Sequence, residues 1–283
     1  MKDERTIILD GDSRLSVVVV DCVQAAAELA RAHLSGPTAS TYLAQALAGA
    51  ALLGSETSQV DETVTFRLAC PGPLEGFLVE CTEKGTLRGY TNKKILNDFD
   101  GDTFKDAAVL GATGTVEVIR SIPGMVLSSG STATAFALEG GAGYVSRALD
   151  AYFAQSLQRR VRSLVLGSAG EDGVPTLARG LMVECAPDGD KAAFDRVAAL
   201  FDDGTAMKAL GGALLSERTL LKKIGLAQAE IRSTAPLAFA CRCSAARAEE
   251  MLASLPPEAR RDLPPSIDVT CHMCGRTWTV SNN

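Results

Sequence analysis

Four of the chain's eight cysteines lie near its C-terminal end, in two short motifs, Cys241-Arg-Cys243 and Cys271-His-Met-Cys274. Residues i and i+2 of an extended strand point to the same face, so Cys241 and Cys243 can both reach one ion. The spacing of Cys271 and Cys274 favours a tight turn on which two thiols converge. Four thiolates are a typical ligand set for tetrahedral zinc, so the sequence predicts a zinc site. His272 could compete as a ligand, but four thiolates already complete the coordination.

Thiolates are also the groups that oxidants attack. Because the cysteines form two close pairs, each oxidised sulfur has a resolving partner nearby, which predicts the disulfides Cys241–Cys243 and Cys271–Cys274. Chemistry alone nevertheless favours a permanent structural zinc site, since most such sites never switch. A segment of about 40 residues is near the length below which a domain needs a metal or disulfides to fold. We therefore expect the segment to unfold when zinc is lost.

Composition places the chain among ordinary folded proteins. It has 283 residues, of which 46% are hydrophobic, and its formal net charge is -6. The N-terminus has no signal-peptide pattern, and the apolar part of the longest uncharged stretch is too short for a membrane span. We expect a cytoplasmic protein with no membrane partner. In that reducing compartment clustered cysteines bind metal more often than they form disulfides. The remaining cysteines are expected to be small buried residues: Cys22, Cys70, Cys81 and Cys185.

Hydrophobic patterns predict an α+β fold with a mixed or antiparallel sheet and flanking helices. Buried or alternating runs predict strands at 14–20, 63–70, 76–81, 86–90, 113–120, 132–138, 162–166 and 177–184. Helices are predicted after Asp21, which is expected to act as an N-cap, at about 38–53, and at about 144–158. The expected domains are a core at 1–186, a helical linker at 187–232 and a zinc-binding domain at 233–283.

The predicted linker carries an amphipathic pattern. Apolar residues recur at helical spacing at Phe194, Val197, Ala198 and Phe201, and Ser216 is expected to cap a short later helix. We interpret this region as a connection rather than a second core. In the zinc-binding domain the spacer predicts a helix whose apolar face holds Ala248, Met251, Leu252 and Leu255. A hairpin at 267–270 and 276–280 would then enclose the Cys271–Cys274 turn.

No motif for an enzyme stands out. Gly141-x-Gly143 before a predicted helix imitates a dinucleotide-binding turn, but the third glycine is absent and no regular β-α-β alternation surrounds it. A simple turn before a helix is the better interpretation. The chain has only two histidines, His33 and His272, and neither a nucleophile elbow nor a P-loop is present.

A constitutive structural-zinc protein that binds nucleic acid is the alternative function. Between Cys241 and Asn283 five arginines (242, 247, 260, 261 and 276) face five acidic residues (249, 250, 258, 262 and 268). The local charge of this segment is therefore zero, whereas salt-sensitive phosphate binding requires an excess of positive charge. The sequence predicts no nucleic-acid partner.

The combined motifs resemble those of heat-shock protein 33, a family of redox-regulated holdase chaperones. The cysteine pattern with its spacer of 27 residues carries the resemblance first. Further similar segments are Gly72–Thr82, Gly85–Tyr90, Leu138–Gly140 and Ala148–Ser156. The sequence departs from the family pattern around Ser121–Ala135, which concerns the core surface, and it ends soon after Trp278, which leaves the switch intact.

The resemblance implies that the reduced, zinc-bound protein is inactive as a holdase. Oxidation of Cys241, Cys243, Cys271 and Cys274 would release zinc, unfold the C-terminal part and expose a surface that captures unfolding client proteins without ATP. It also implies an oligomeric change on activation, to a homodimer. The client-binding surface is not defined by the sequence. Its candidates are Leu214, Leu215, Leu220 and Leu221, whose alternative role is docking on the core.

Overall fold

Strands dominate the first two thirds of the chain, and short helices follow them. The computed structural model describes residues 2–100, 106–122, 132–137, 143–213 and 215–282. Its strands are β1 Glu4–Asp10, β2 Leu15–Asp21, β3 Thr63–Ala69, β4 Gly76–Thr82, β5 Thr86–Thr91, β6 Thr113–Ser121, β7 Thr132–Ala137, β8 Arg160–Ala169, β9 Pro175–Cys185, β10 Glu230–Pro236, β11 Ala238–Phe239, β12 Ser266–Thr270 and β13 Thr277–Ser281. Its helices are α1 Val23–His33, α2 Pro37–Leu53, α3 Asp106–Leu110, α4 Tyr144–Ala151, α5 Lys191–Asp202, α6 Thr205–Leu210, α7 Glu217–Lys223, α8 Ala245–Ala253 and α9 Pro257–Arg261.

Five strands form an antiparallel sheet in the order β10-β1-β2-β9-β8. The valine run of β2 is buried on both faces of this sheet. Val18 and Val20 belong to the main hydrophobic cluster, whereas Val17 and Val19 belong to a second cluster on the other face. Successive side chains of a strand point to opposite faces, so an unbroken apolar run indicates a strand covered on both sides.

Six strands form the second sheet in the order β11-β5-β4-β3-β6-β7. All neighbours are antiparallel except β11, which pairs with β5 in parallel. In β3 the side chains of Val64, Phe66 and Leu68 are buried, while Arg67 on the other face is exposed. This alternation is typical of a sheet with one face on the core and one in water.

Helix α2 lies in the main core and contacts strands of both large sheets. Its alanines and glycine permit close approach, since a Cβ at Gly49 would stand 2.8 Å from a ring carbon of Phe66. The predicted buried helix at about 38–53 is confirmed by these contacts. Among the described helices, none combines the length and apolar character needed to cross a membrane.

Helices α5, α6 and α7 cover the outer face of the five-stranded sheet. Phe194, Val197, Leu210 and Leu220 are buried there against residues of β1, β2 and β9. The interpretation of this region as a mere connection is therefore wrong, because its helices and the sheet build a second hydrophobic core. Helices this short are marginal alone and persist by burying an apolar face. Ser216 does cap α7, accepting a hydrogen bond from the Thr219 N–H.

Five of the described elements were not predicted from the sequence: β1, α3, β10, β11 and α9. The expected N-cap at Asp21 is also wrong. Residue 22 occupies the N-cap of α1, and the carboxylate of Asp3 accepts hydrogen bonds from the N–H groups of Gln24 and Ala25. Asp21 Oδ1 accepts only a long hydrogen bond from the Val23 N–H, at 3.4 Å, and Asp21 Oδ2 forms a buried ion pair with Arg179, at 2.9 Å. Asp3, directly before β1, thereby caps a helix that begins twenty residues later in the sequence.

The C-terminal segment holds a small hydrophobic cluster between α8 and the β12–β13 hairpin. Ala248, Leu252 and Val280 are buried in it. The predicted apolar face of α8 is only half right, since Met251 and Leu255 are 55% and 40% exposed. The predicted hairpin is confirmed. Several expectations fall outside the described residues, namely Gly141 of the Gly141-x-Gly143 turn, the last residue of the strand predicted at 132–138, the similar segment Leu138–Gly140 and the candidate client contact Leu214.

Candidate metal centre

Two separate segments bring the four C-terminal cysteines together. Cys241 and Cys243 follow β11 in irregular backbone, rather than within a strand as expected, and Cys271 and Cys274 lie in the turn between β12 and β13. Their four Sγ atoms all lie within 4.8 Å of one another, and they are free thiols. The predicted ligand set is thus assembled as one cluster that could hold a metal ion.

The sulfur positions match the coordination sphere of a tetrahedral ion. The Sγ atoms of Cys241 and Cys271 are 3.8 Å apart, and those of Cys243 and Cys274 are 3.4 Å apart. Four sulfurs placed about 2.3 Å from a central ion lie about 3.8 Å from one another. Both of these distances join one motif to the other, as expected of thiolates that surround a shared ion.

The Cys271–Cys274 turn is shaped by its own backbone. The Cys271 N–H donates to the carbonyl of Arg276 at 2.8 Å, and the Gly275 N–H donates to the carbonyl of Cys271 at 2.8 Å. Gly275 has φ +71°, and a Cβ there would stand 2.3 Å from the carbonyl oxygen of Ala32. Glycine is therefore required for both the turn and its close approach to the end of α1.

The first cysteine motif reaches the centre along the edge of the six-stranded sheet. The Ala238 N–H donates to the carbonyl of Gly85, and the Ala240 N–H donates to the carbonyl of Leu87, both at 3.1 Å. Leu237 is 5% exposed and packs in the main core. These contacts fix the backbone that leads directly to Cys241.

The second motif docks on the same strand one step further along. The Gly89 N–H donates to the carbonyl of Met273 at 3.0 Å. Nε2 of the buried His33 lies 2.9 Å from the Gly89 carbonyl, and Lys94 Nζ lies 2.5 Å from His33 Nδ1. Burial and the neighbouring Lys94 charge lower the pKa of His33, which favours the neutral ring in this contact.

An arginine of the core contacts one thiol of the centre. Arg88 Nη1 donates to Cys241 Sγ at 3.8 Å, while its Nε donates to Glu80 at 2.7 Å. Arg242 also lies against Glu80, at 3.4 Å. Burial acts to raise the pKa of Cys241, but hydrogen bonds from Cys243 and Arg88 outweigh it and lower that pKa to about 7. This sulfur is therefore held in an environment that favours the thiolate.

The other sequence-derived candidates lie outside the ligand set. His272 packs its ring edge-on against Tyr90, with centroids 4.2 Å apart. Cys22, Cys81 and Cys185 are buried as expected, whereas Cys70 is partly exposed. Leu220 and Leu221 are buried in the second core and Leu215 packs against it, so the docked alternative holds for these three in this structure.

The residues that sequence reasoning missed are those of the core that receive the centre. Arg88, Gly89 and His33 contact the cysteine segments from positions more than 150 residues earlier in the chain, with His33 lying against Met273 and Gly275. The segment Gly85–Tyr90 was noted in the sequence as similar to the heat-shock protein 33 family, but nothing in it indicated a contact with the cysteines. Nothing in a single sequence pairs these residues with the cysteines.

Comparison with known proteins decides the family. The family model described as Hsp33 protein matches residues 3–281. The chain belongs to the Hsp33 family. A relative from Thermus thermophilus, named 33 kDa chaperonin, is 30% identical, and the alignment covers 96% of this chain and 82% of that protein. A second 33 kDa chaperonin, from Symbiobacterium thermophilum, is also 30% identical, over 90% of this chain and 86% of the relative.

A solved Hsp33 homologue has the same architecture. The crystal structure of the 33 kDa chaperonin from Thermotoga maritima matches with a TM-score of 0.84 and 19% identity, covering 100% of this chain and 96% of that one. The α+β fold expected from the sequence is thereby confirmed. The resemblance to the heat-shock protein 33 family is also confirmed, and the chain is an Hsp33-family chaperone.

Proposed function

We propose that this Hsp33-family protein is a redox-regulated, ATP-independent holdase, inactive when reduced and zinc-bound. Oxidation of Cys241, Cys243, Cys271 and Cys274 to two disulfides releases the zinc, unfolds the C-terminal region and enables binding of unfolding proteins. The single observation that carries the proposal is the cluster of four free thiols within 4.8 Å of one another, docked directly on the core.

Zinc is the ion that best fits the donor set. Four sulfur donors favour zinc over hard cations such as Mg²⁺ or Ca²⁺, which prefer oxygen ligands. When bound, zinc would supply a structural clamp between the two cysteine motifs. The C-terminal segment needs one, because its own cluster buries only Ala248, Leu252 and Val280 among the described residues. Structural zinc contributes on the order of 10 kcal/mol or more to such segments.

Oxidation removes the ligands that the clamp requires. Two thiolates, one hydrogen peroxide and two protons yield one disulfide and two molecules of water, so four thiolates consume two peroxides. We assign the disulfides to Cys241–Cys243 and Cys271–Cys274. Support comes from chain connectivity, since partners one or two residues apart remain close once the segment unfolds. The short contacts between the motifs depend on the folded arrangement instead.

Unfolding of the C-terminal segment would destabilise the second core, because the two are directly connected along the chain. Strand β10 pairs with β1 at the edge of the five-stranded sheet and leads through Leu237 into β11 and the centre. It also follows directly on α7, which covers the outer face of that sheet. Loosening β10 and the short helices would expose apolar surface to a client protein, which is the property a holdase requires.

The test compares one protein in two redox states. Peroxide-treated protein is expected to suppress the aggregation of a thermally unfolding client, measured by light scattering, whereas the reduced zinc-bound protein is not. Oxidised protein that is reduced again in the presence of zinc is the control, because restoring the four thiolates and the metal should abolish the suppression. Equal suppression by the reduced and oxidised wild type would refute the switch and leave only a structural metal site.

A further inference from the structure

The groove between α1 and β5 is occupied by the chain's own C-terminal segment. Strand β11 contacts both elements, and Leu237 and Phe239 pack on the main core. These side chains are two residues apart, so they point to the same face of an extended segment. The groove therefore accepts an extended chain with apolar residues at alternate positions.

Backbone groups along β5 hold this segment in register. The carbonyls of Gly85 and Leu87 accept from Ala238 and Ala240, and the Gly89 N–H donates to Met273. All three groups lie on the edge of β5 that faces away from β4, with which the rest of the strand pairs. Gly85, at φ +77°, allows this approach, since a Cβ there would stand 2.2 Å from the Pro236 carbonyl oxygen.

The metal centre lies at the far end of this segment and ties it to the β12–β13 turn. Strand β11 has two residues, and only Ala240 separates it from Cys241. Two paired residues cannot offset the entropy of ordering the unfolded C-terminal segment, whose ordered state depends on the metal. Loss of the metal would leave the Gly85, Leu87 and Gly89 groups unpaired on an exposed strand edge, and such an edge is a template for another extended chain.

We infer that the α1–β5 groove is a client-binding site, where an extended apolar segment of an unfolding protein adds in parallel to β5 in place of residues 237–240. The inference rests on the proposed function and names a surface for it. The client segment would have the same chemistry as residues 237–240, namely large apolar side chains at alternate positions and free backbone N–H groups between them. In the reduced protein the C-terminal segment blocks the groove as an internal competitor.

The test uses a peptide of residues 234–240, Thr-Ala-Pro-Leu-Ala-Phe-Ala, carrying a fluorophore. It is expected to bind the oxidised full-length protein, measured by anisotropy, and not the reduced zinc-bound protein. The matched control is the same peptide with the nitrogens of its second and third alanines, those of positions 238 and 240, methylated. It keeps every side chain but loses both donors, so its binding is expected to be about tenfold or more weaker. Equal affinity of the two peptides would overturn strand addition.

The chain's own segment remains tethered in the oxidised protein and competes for the groove. The peptide is therefore also titrated onto an oxidised Ala238→Pro/Ala240→Pro variant, whose segment cannot donate the two hydrogen bonds. Tighter binding to this variant than to the oxidised wild type is expected. Unchanged affinity would show that the peptide binds elsewhere and would overturn the inference.

Competition with a client separates this inference from the proposed function. Unmodified peptide, at a concentration that occupies most of the sites, is expected to reduce the suppression of client aggregation by the oxidised protein, while the methylated peptide at the same concentration reduces it less. Full suppression in the presence of bound peptide would refute the groove as a client site but leave the holdase function standing. Absence of suppression by the oxidised protein without any peptide would instead refute the proposed function.

Discussion

At the scale of single residues, Arg88 links the core to the metal centre. Its side chain is 16% exposed, it is paired with Glu80, and it donates to Cys241 Sγ. A hydrogen bond from a guanidinium withdraws charge from a thiolate and so makes the sulfur less nucleophilic. Arg88 is therefore placed to set how readily the reduced centre reacts with oxidants.

Replacing Arg88 tests this role. In zinc-loaded Arg88→Gln we expect thiol loss under limiting peroxide to be roughly tenfold faster, the equivalent of one charged hydrogen bond of about 1.5 kcal/mol. Arg88→Lys retains a charged donor and should fall between that variant and the wild type. The measurement is the rate of thiol loss, together with the rate of alkylation by iodoacetamide. Arg67→Gln is the control, since Arg67 lies on β3, two strands away from Arg88 on β5, and pairs there with Glu117. Wild-type rates in Arg88→Gln would contradict the role.

Residue types reveal the ligands but not the residues around them. The cysteines were predicted because spacing alone limits which side chains can share an ion. Arg88 and His33 could not be predicted from the sequence, because their contacts with the centre depend on how two distant parts of the chain meet. Met251 and Leu255 show the same limit, since helical spacing placed them on an apolar face that the small C-terminal cluster does not extend to cover.

At the scale of elements, α4 is fixed to β8 through a partly buried acid, Asp150. Asp150 Oδ1 accepts hydrogen bonds from the Ser163 N–H at 2.7 Å and from the Ser163 hydroxyl at 2.6 Å. Arg162 lies 3.3 Å from the other oxygen. Burial outweighs these partners and raises the pKa of Asp150 to about 6. The folded protein therefore holds this proton more tightly than the unfolded chain does.

That shift predicts how an Asp150→Asn variant depends on pH. Between pH 4 and 6 the folded state binds more protons at this position, so the position's contribution to stability falls as pH rises. The variant lacks this ionisation and should be more stable than the wild type at pH 7.5, by at most about 3 kcal/mol. The gain should shrink as pH falls toward 4. Urea unfolding of both proteins in the same metal state measures it, and a gain independent of pH would contradict the assignment.

Metal removal tests which elements depend on the centre. After chelation of the reduced protein, amides of β11, α8, β12 and β13 are expected to lose protection from hydrogen exchange, because the C-terminal cluster is too small to hold α8, β12 and β13 and because β11 pairs with β5 over only two residues. Amides of β2, β3 and β9 should stay protected, since these strands lie inside the two large sheets. Retained protection at β12 and β13 without metal would show that the segment folds on its own.

Elements with strong hydrophobic alternation were predicted well, and those without it were missed. Strands β3, β4 and β5 carry alternating apolar residues, and the structure has each within one or two residues of its expected bounds. Strand β10 carries only Ile231 as a large apolar residue, and that side chain is 56% exposed. Its pairing rests on backbone hydrogen bonds with β1, which leave no hydrophobic pattern in the sequence.

At the scale of the whole molecule, the centre and the two cores form one chain of contacts. The cysteines pack on the main core, and the main core and the second core lie on opposite faces of the five-stranded sheet. Strand β10, at the edge of that sheet, connects the helices of the second core to the cysteine segment. The expected connection at 187–232 proved to contain half of that second core, because the sheet face it covers is assembled from β1, β2 and β9. The sequence pattern indicated amphipathic helices but not their partner. The expected domain boundaries remain predictions.

The most direct test of the switch follows zinc, thiols and disulfides in one oxidation. During peroxide treatment the account predicts that one zinc ion is released as four thiols disappear, with a chelating dye reporting the metal. Peptide mapping of the product should find Cys241 joined to Cys243 and Cys271 joined to Cys274, and aggregation suppression should rise with zinc release. Zinc that stays bound after these thiols are oxidised, or suppression that precedes its release, would contradict the account.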